Sequence, residues 1–425
     1  MPRRLRSAPL YGRTYPGRVS RPVRAVPASA AGVPALSGSL AAALAGSGPA
    51  VLPVETASGL AHEDAGGPVP DDVALLVRTS GSTGVPREVM LTAAALRASA
   101  DATHRRLSGP GRWLLPLPPA HVAGLQVLVR SLVAGTTPAV LAGPFRPDAF
   151  AAATARLGED ADGAPRYTSL VPTQVHRLLG SDEGADALAA YDAVLLGGAA
   201  APPGLVERAR ARGARVVTTY GMSETCGGCV YDGVPLEGVR VELDGDGRIR
   251  IAGPVLAAGY RSRPDLDADL FEERDGVRWL RTSDLGRWTT RGAGPARLDV
   301  LGRADDVLVT GGEKVAPAAV ERVLGERPGV GEVLVVAVPD DEWGQALVAV
   351  VVPPAGAPGP DLADLRAAAA GALGRAAAPR HLVTVAALPL RGPGKPDRRA
   401  AADLAARELG RGPLPGTAPD PPPGA

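Results

Sequence analysis

The chain has 425 residues, 45% of them hydrophobic, which is ample for two or more cores. Its formal charge of +1 gives no reason to expect nucleic acid or an anionic membrane as a partner, and no apolar run approaches the roughly 18 residues of a spanning helix. Two cysteines, Cys226 and Cys229, are too few for a disulfide scaffold and suit a reducing cytosol, so a cytoplasmic protein is expected.

The first 30 residues carry seven arginines and no acid, and the first carboxylate is Glu55. That composition resembles an organelle transit peptide, but Pro2, Pro9, Pro16 and Pro22 would break the amphipathic helix such peptides form. A disordered leader, or a start codon chosen too far upstream, is therefore expected over 1–30. The body alternates short β-rich runs with alanine-rich helical stretches, which predicts an α/β architecture. Val73–Val77 and Val89–Leu91 read as buried strands, Thr92 caps a helix reaching Leu107, and Leu125–Val133 is apolar and helical. Thr168–Val171, Ala193–Leu196 and Val216–Thr219 read as parallel strands. From Val239 short strands alternate with polar turns such as Asp244–Gly247, a small β-rich subdomain. A large N-terminal domain of mixed sheets and helices is thus expected over 31–302.

A small α+β domain is expected over 303–410. Pro317 fits the first turn of a helix ending near Gly325. Strands follow at Glu332–Val338 and Ala346–Val352, then a helix at Leu362–Leu373 and a strand at Leu382–Val385. Residues 411–425 are rich in proline and glycine and should be disordered.

Several blocks could carry chemistry. Thr79, Ser80, Gly81, Ser82, Thr83 and Gly84 lead through Val85 and Pro86 to Arg87, joining the first two strands. Glycines and hydroxyls at this density let successive backbone N–H groups point at one anion, and Arg87 completes a phosphate cradle. No Gly-Lys-Ser/Thr follows at the required spacing, so this is not a Walker A loop. The block Tyr220, Gly221, Met222, Ser223, Glu224, Thr225 follows a strand, where open α/β sheets place their ligands. Glu224 there suits Mg²⁺ bound through substrate phosphates, or equally a helix cap. Asp284 could accept hydrogen bonds from ribose hydroxyls, and Arg303, Asp305 and Asp306 stand at the domain junction. Of 46 cationic residues only Lys314 and Lys395 are lysine. Lysine surviving such a bias marks positions where a compact ammonium does what a planar fork cannot. Lys395 lies in Pro393-Gly-Lys-Pro396, and Lys314 follows the glycine turn Gly311–Gly312.

Taken together and in order, from Val73 to Arg399, these blocks resemble the acyl-adenylate-forming superfamily of acyl-CoA ligases, adenylation domains and luciferases. The resemblance implies ATP, CoA and a small carboxylic acid as substrates, Mg²⁺ as cofactor, and a small C-terminal domain that rotates between half-reactions; it admits a homodimer. It implies that Thr79–Gly84 and Arg87 hold the phosphates and that Gly197, Gly198, Ala199 and Tyr220 flank the adenine. Gly221 and Ser223 count among the ATP contacts. Glu224 with Thr83 would contact Mg²⁺, Asp284 would bind the ribose with Arg303 nearby, and Asp305 would be the hinge. Gly311 and Gly312 would line the pantetheine path, and Lys395 and Glu224 would be catalytic. Two features depart from the pattern. Arg87 stands where the loop usually ends in lysine, and the loop begins far earlier than in typical relatives, which implies a shortened N-terminal region.

Amino-acid-activating relatives hold the substrate ammonium with an acid near the block that here reads Pro116-Leu-Pro-Pro-Ala-His-Val-Ala-Gly124, which has no carboxylate. The stretches His121–Leu132 and Cys226–Gly233 are similar to those of the o-succinylbenzoate–CoA ligases of menaquinone biosynthesis, as found in actinobacteria. Such a dicarboxylate wants an apolar slot plus a cation or donors for its second carboxylate, for which His121, Arg130 and Thr225 are the candidates beside buried structural roles. Another acyl-CoA ligase, an acyl-AMP ligase feeding a carrier protein, and a non-catalytic nucleotide-binding relative stay open. So do a metal or redox role for Cys226 and Cys229 beside plain packing, and a ligand contact for Lys314 beside a surface role.

Overall fold

The strands expected at 73–77 and 89–91 lie in the middle of a five-stranded mixed sheet. The computed structural model describes residues 20–55, 67–80, 86–159, 163–202, 204–290, 294–354, 356–391 and 395–412. In it the sheet order is Gly259–Tyr260, Pro86–Thr92, Val73–Ser80, Ala50–Val54 and Val23–Pro27. Val73–Ser80 and Pro86–Thr92 are antiparallel, with Thr79 opposite Arg87. Ala50–Val54 and Val23–Pro27 continue in parallel. A second sheet of seven strands contains Arg166–Leu170, Ala193–Leu196 and Val216–Met222 as parallel neighbours, and Gly227–Tyr231 then turns back antiparallel.

Helices Val33–Leu44, Ala93–Arg106 and Val122–Val133 share one core with both sheets, through residues such as Leu36, Leu75, Leu96, Trp113 and Leu125. Thr92 caps its helix as expected, its hydroxyl accepting from the Ala95 N–H at 3.1 Å. Helices Pro147–Glu159, Pro172–Leu178, Asp182–Ala189 and Leu205–Ala211 close the other face of the seven-stranded sheet. With both faces covered, its strand Ala193–Leu196 is an unbroken apolar run rather than an alternating one.

Residues 20–30 of the expected leader are part of the fold. Val23–Pro27 is a strand, because Val23 and Ala25 pack on one face beside Leu52 while Val26 enters the main core on the other. Arg21 is itself buried, its Nη1 donating to the Val73 carbonyl at 2.9 Å. Counting arginines without reading the period-2 pattern beneath them hid this strand. At the other end Arg411, expected in the tail, is anchored by the Pro339 carbonyl at 2.6 Å and the Asp340 carboxylate at 2.9 Å. Residues 1–19 and 413–425 lie outside the described residues.

The β-rich subdomain pairs Arg240–Leu243, Arg248–Ala252, Val277–Thr289 and Phe271–Arg274, and Arg297–Arg303 adds to the long strand Val277–Thr289. That pairing sets Asp284 opposite Arg303. The C-terminal unit has Glu332–Asp340 antiparallel to Gly344–Val352, with His381–Thr384 parallel to the latter. Helices Pro317–Leu324 and Leu362–Leu373 cover one face and Arg398–Glu408 the other. Arg398 clamps this unit: its Nη1 and Nη2 fork the Glu321 carboxylate at 2.5 and 2.9 Å, and Nη1 also reaches the Val335 carbonyl at 2.9 Å. A planar guanidinium suits such a bidentate contact better than an ammonium. Among the described residues no helix is long and apolar enough to cross a membrane.

Candidate active site

Two neighbouring parallel strands deliver the first part of the site from their carboxyl ends. Ala193–Leu196 runs into Gly197–Gly198 and Val216–Met222 carries Tyr220. A Cβ on Gly197 would lie 2.3 Å from Thr219 Oγ1, so only glycine lets the loop lie against the adjacent strand. Gly221 is under a tighter constraint, at a β-bulge where a Cβ would fall 2.0 Å from the Gly227 carbonyl oxygen. Ser223, Glu224 and Thr225 then form a single 3-10 turn.

Tyr220 reaches from this sheet to the β-rich subdomain and donates its hydroxyl to Asp284 Oδ2 at 2.7 Å. Burial and the neighbouring carboxylate push the phenol far above its ordinary value, so it remains a neutral donor. Burial also raises the Asp284 carboxyl, only partly offset by Tyr220 and by Arg303, whose Nη1 stands 3.7 Å from Oδ1. Arg303 Nη2 meanwhile binds Asp305 Oδ2 at 2.8 Å. Against the effect of burial, hydrogen bonds from Ser283 and Arg303 hold the Asp305 carboxyl below its ordinary value. The expected ribose acid and the expected hinge acid are thus joined through one guanidinium.

The second part of the site was missed in the sequence. Tyr260, 3% exposed, donates its hydroxyl to Glu224 Oε1 at 2.5 Å. Its strand pairs with Pro86–Thr92, placing Tyr260 opposite Val89, two residues from Arg87. Burial, then Glu224, drives the Tyr260 phenol far up, while the positive charge of Arg87 draws it down. Arg87 Nε is buried with no hydrogen-bond partner among the described residues. The end of the phosphate-loop hairpin, Tyr260 and Glu224 therefore converge. Thr79 stays on the hairpin, its hydroxyl 3.5 Å from the Arg87 carbonyl; Ser80 pairs with Pro86 in the ladder, and Gly81, Ser82, Thr83 and Gly84 lie outside the described residues.

Oxygen donors are what Mg²⁺ prefers, and it takes one or two carboxylates together with substrate phosphates rather than an all-protein cage. Glu224 fits, since Tyr260 takes one of its carboxylate oxygens and the other has no hydrogen-bond donor among the described residues. No group of three or more metal-binding side chains occurs among the described residues.

The remaining candidates are spread out. Gly311 and Gly312 take positive φ values of 56° and 82°, and a Cβ on Gly311 would lie 2.5 Å from the Trp343 ring. Lys314 is exposed on the strand Glu313–Val315 opposite Val309, and Lys395 opens the short strand Lys395–Pro396 opposite Arg391. His121 Nε2 stands 3.3 Å from Glu55 Oε1, a carboxylate that comes from outside its own block. The Thr225 hydroxyl is spent within its turn, donating toward the Met222 and Gly227 carbonyls and accepting from the Met222 N–H. Arg130 is 3% exposed, stacked 5.1 Å from the Trp113 ring centroid, with Nη2 donating to Tyr231 Oη at 3.3 Å and Nε without a partner. Cys226 and Cys229 are free and fully buried, and burial pushes the Cys229 thiol up to about 12, so both are packed, unreactive thiols.

This arrangement, a glycine-lined strand end beside a tyrosine–aspartate pair and a carboxylate near the hairpin expected to hold phosphates, fits a nucleotide-using enzyme. The family model described as AMP-binding enzyme matches residues 33–261 and that of the AMP-binding enzyme C-terminal domain matches 319–395; the chain belongs to the AMP-binding enzyme family. It is 48% identical over 361 residues to a protein of Mycobacterium tuberculosis described as a probable 2-succinylbenzoate–CoA ligase, covering 84% of this chain and 91% of that one. Among solved structures it is similar to the Escherichia coli MenE with a bound analogue of OSB-AMS, with a TM-score of 0.67, 26% identity, and coverage of 92% of this chain and 89% of that one. The amide bond synthetase McbA of Marinactinospora thermotolerans matches with a TM-score of 0.70 and 27% identity, over 91% and 90% of the two chains.

Because the Asp284 carboxyl is raised, its proton favours the folded state. That contribution is full below the ordinary carboxylate value and is lost as pH rises through the raised one. Ionised Asp284 therefore costs stability at neutral pH. Asp284→Asn should raise the thermal midpoint of the ligand-free protein at pH 7, with the gain shrinking toward pH 4. ATP binding, followed by calorimetry, should weaken by about 10- to 100-fold, the worth of hydrogen bonds to a charged group.

Proposed function

We propose that this chain is an ATP-dependent acid–thiol ligase that converts o-succinylbenzoate, also called 2-succinylbenzoate, to its CoA thioester in menaquinone biosynthesis, in the cytoplasm. The observation that carries the reading is the 48% identity running along 91% of the M. tuberculosis relative. The paired Tyr220–Asp284 and Tyr260–Glu224 contacts support it from the structure.

In the first half-reaction the substrate carboxylate attacks the α-phosphorus of ATP in line, the bond to pyrophosphate breaks, and an acyl-AMP remains. Two anions must meet, so positive charge at the α-phosphate is the main requirement. Lys395 supplies it as a point charge able to touch both the carboxylate and the phosphate oxygen. Asp284 receives the ribose hydroxyls, and Gly197, Gly198, Ala199 and Tyr220 bound the adenine. Glu224, with Thr83, would hold Mg²⁺, which when bound neutralises phosphate charge. In the second half-reaction the CoA thiol attacks the acyl carbon and AMP leaves. Lys395 and the thiol need the same region, so the C-terminal unit turns about Asp305 and brings Gly311 and Gly312 to the pantetheine.

Of the three side chains expected around the acyl group, Arg130 is best suited to the carboxylate that is not activated. It is a buried cation whose described partners are neutral, a phenol and an indole ring. An anionic ligand group would supply the missing counter-charge. The Thr225 hydroxyl is already saturated within its turn.

Pyrophosphate release with a panel of carboxylic acids, with and without CoA, tests the reading. O-succinylbenzoate should give the largest signal, and free CoA should become its thioester. A signal with an aliphatic acid and none with o-succinylbenzoate would refute the substrate; acyl-AMP formed but not passed to free CoA would instead point to carrier loading. Lys395→Ala should slow acyl-AMP formation by about 10²–10³-fold while thioester formation from supplied acyl-AMP stays within a few-fold. Arg130→Met should raise KM for o-succinylbenzoate about thirtyfold or more and leave KM for ATP unchanged in the same assay.

A further inference from the structure

Glu224 sits on a single 3-10 turn, and a glutamate so placed has three side-chain torsions to fix before it can serve a metal. Among the described residues its carboxylate has one donor, the Tyr260 hydroxyl at 2.5 Å on Oε1. Tyr260, in contrast, is held by a scaffold. Its backbone N–H donates to Asp267 Oδ1 at 2.8 Å, and its ring packs 6.5 Å from that of Phe271. The preceding Gly259 has φ 150°, and a Cβ there would lie 2.6 Å from the Asp267 carboxylate. Arg278 braces the same segment through the Ala257 and Ala258 carbonyls, at 2.6 and 2.9 Å. The Glu224 carbonyl is tied to this segment too, accepting from the Ala257 N–H at 2.8 Å.

We infer that Tyr260 is a positioning residue for the metal carboxylate: it takes Oε1 of Glu224 and leaves Oε2 as a single, pre-oriented oxygen for the magnesium of the nucleotide. The inference rests on the reading of Glu224 as a metal ligand. Pre-orientation of this kind suits Mg²⁺, which demands near-octahedral geometry, keeps several waters and takes one carboxylate oxygen readily. Hydrogen-bond partners of metal ligands set ligand orientation, and their loss typically costs 10- to 100-fold in metal affinity. Since Tyr260 stands on the strand next to that of Arg87, one scaffold places both the cation expected at the phosphates and the donor that aims the metal ligand.

The test is the increment that Mg²⁺ adds to nucleotide affinity, measured by calorimetry with α,β-methylene-ATP in the presence and absence of the metal. Tyr260→Phe keeps the ring and its packing. It should cut the magnesium-dependent increment by about 10- to 100-fold while the metal-free affinity and the thermal midpoint change little. Glu224→Gln serves as the reference. If Glu224→Gln abolishes the increment and Tyr260→Phe retains it, the positioning role is wrong although the ligand reading stands. If Glu224→Gln retains the increment, the ligand reading has failed and the inference goes with it. A fall in metal-free affinity and thermal midpoint as large as the fall with metal would make Tyr260 a structural residue and also overturn the proposal.

Discussion

Two phenol–carboxylate contacts hold the working end of this enzyme together. Tyr220 joins the seven-stranded sheet to Asp284 in the β-rich subdomain, and Tyr260 joins the five-stranded sheet to Glu224 at the end of the seven-stranded one. Three sheets are thereby joined through their carboxylates. Each contact is a hydrogen bond from a neutral phenol to a carboxylate. Each also keeps an acid in a partly desolvated place where a ligand can use it. Removing water from Asp284 raises its carboxyl, so the site stores a cost that ribose hydroxyls would relieve on binding.

The proposed hinge at Asp305 draws on the same guanidinium as Asp284. Arg303 serves Asp284 and Asp305 at once, so the nucleotide end of the large domain and the first residues of the small unit share one guanidinium. Beyond the hinge, Arg398 binds Glu321 and stands 3.6 Å from Asp306. The helix that follows Lys395 is therefore fixed to the start of its own unit. The rotation proposed about Asp305 would then carry the lysine strand as part of a body rather than as a loose loop.

Much of this was legible in the sequence, for a physical reason. Residues expected to bend tightly or face an anion leave compositional marks: the glycine and hydroxyl run after a buried strand, the Tyr-Gly-Met-Ser-Glu-Thr block, and two lysines in an arginine-rich chain. Strands at 193–196 and 332–338 showed because burial on both faces demands unbroken apolar runs. What was hidden depends on contacts between distant segments. Tyr260 follows an ordinary apolar stretch and acquires meaning only because Glu224, 36 positions earlier, folds back onto it. Likewise nothing local shows that Glu55 meets His121, or that the Thr225 hydroxyl is consumed by its own turn. The strand Val23–Pro27 was hidden by the arginines in and before it, whose charge suggested solvent; Arg24 is exposed but Arg21 is buried.

That strand has a consequence for how the protein is handled. It is the outermost of its sheet, and its neighbour Ala50–Val54 is buried along its whole length. Removing Val23–Pro27 would turn five apolar residues into an open edge with unpaired backbone groups, the template on which copies of a chain stack into aggregates. The strand Val23–Pro27 thus acts as a sheath for the sheet. A shortened version would be expected to fail in solubility before it failed in catalysis.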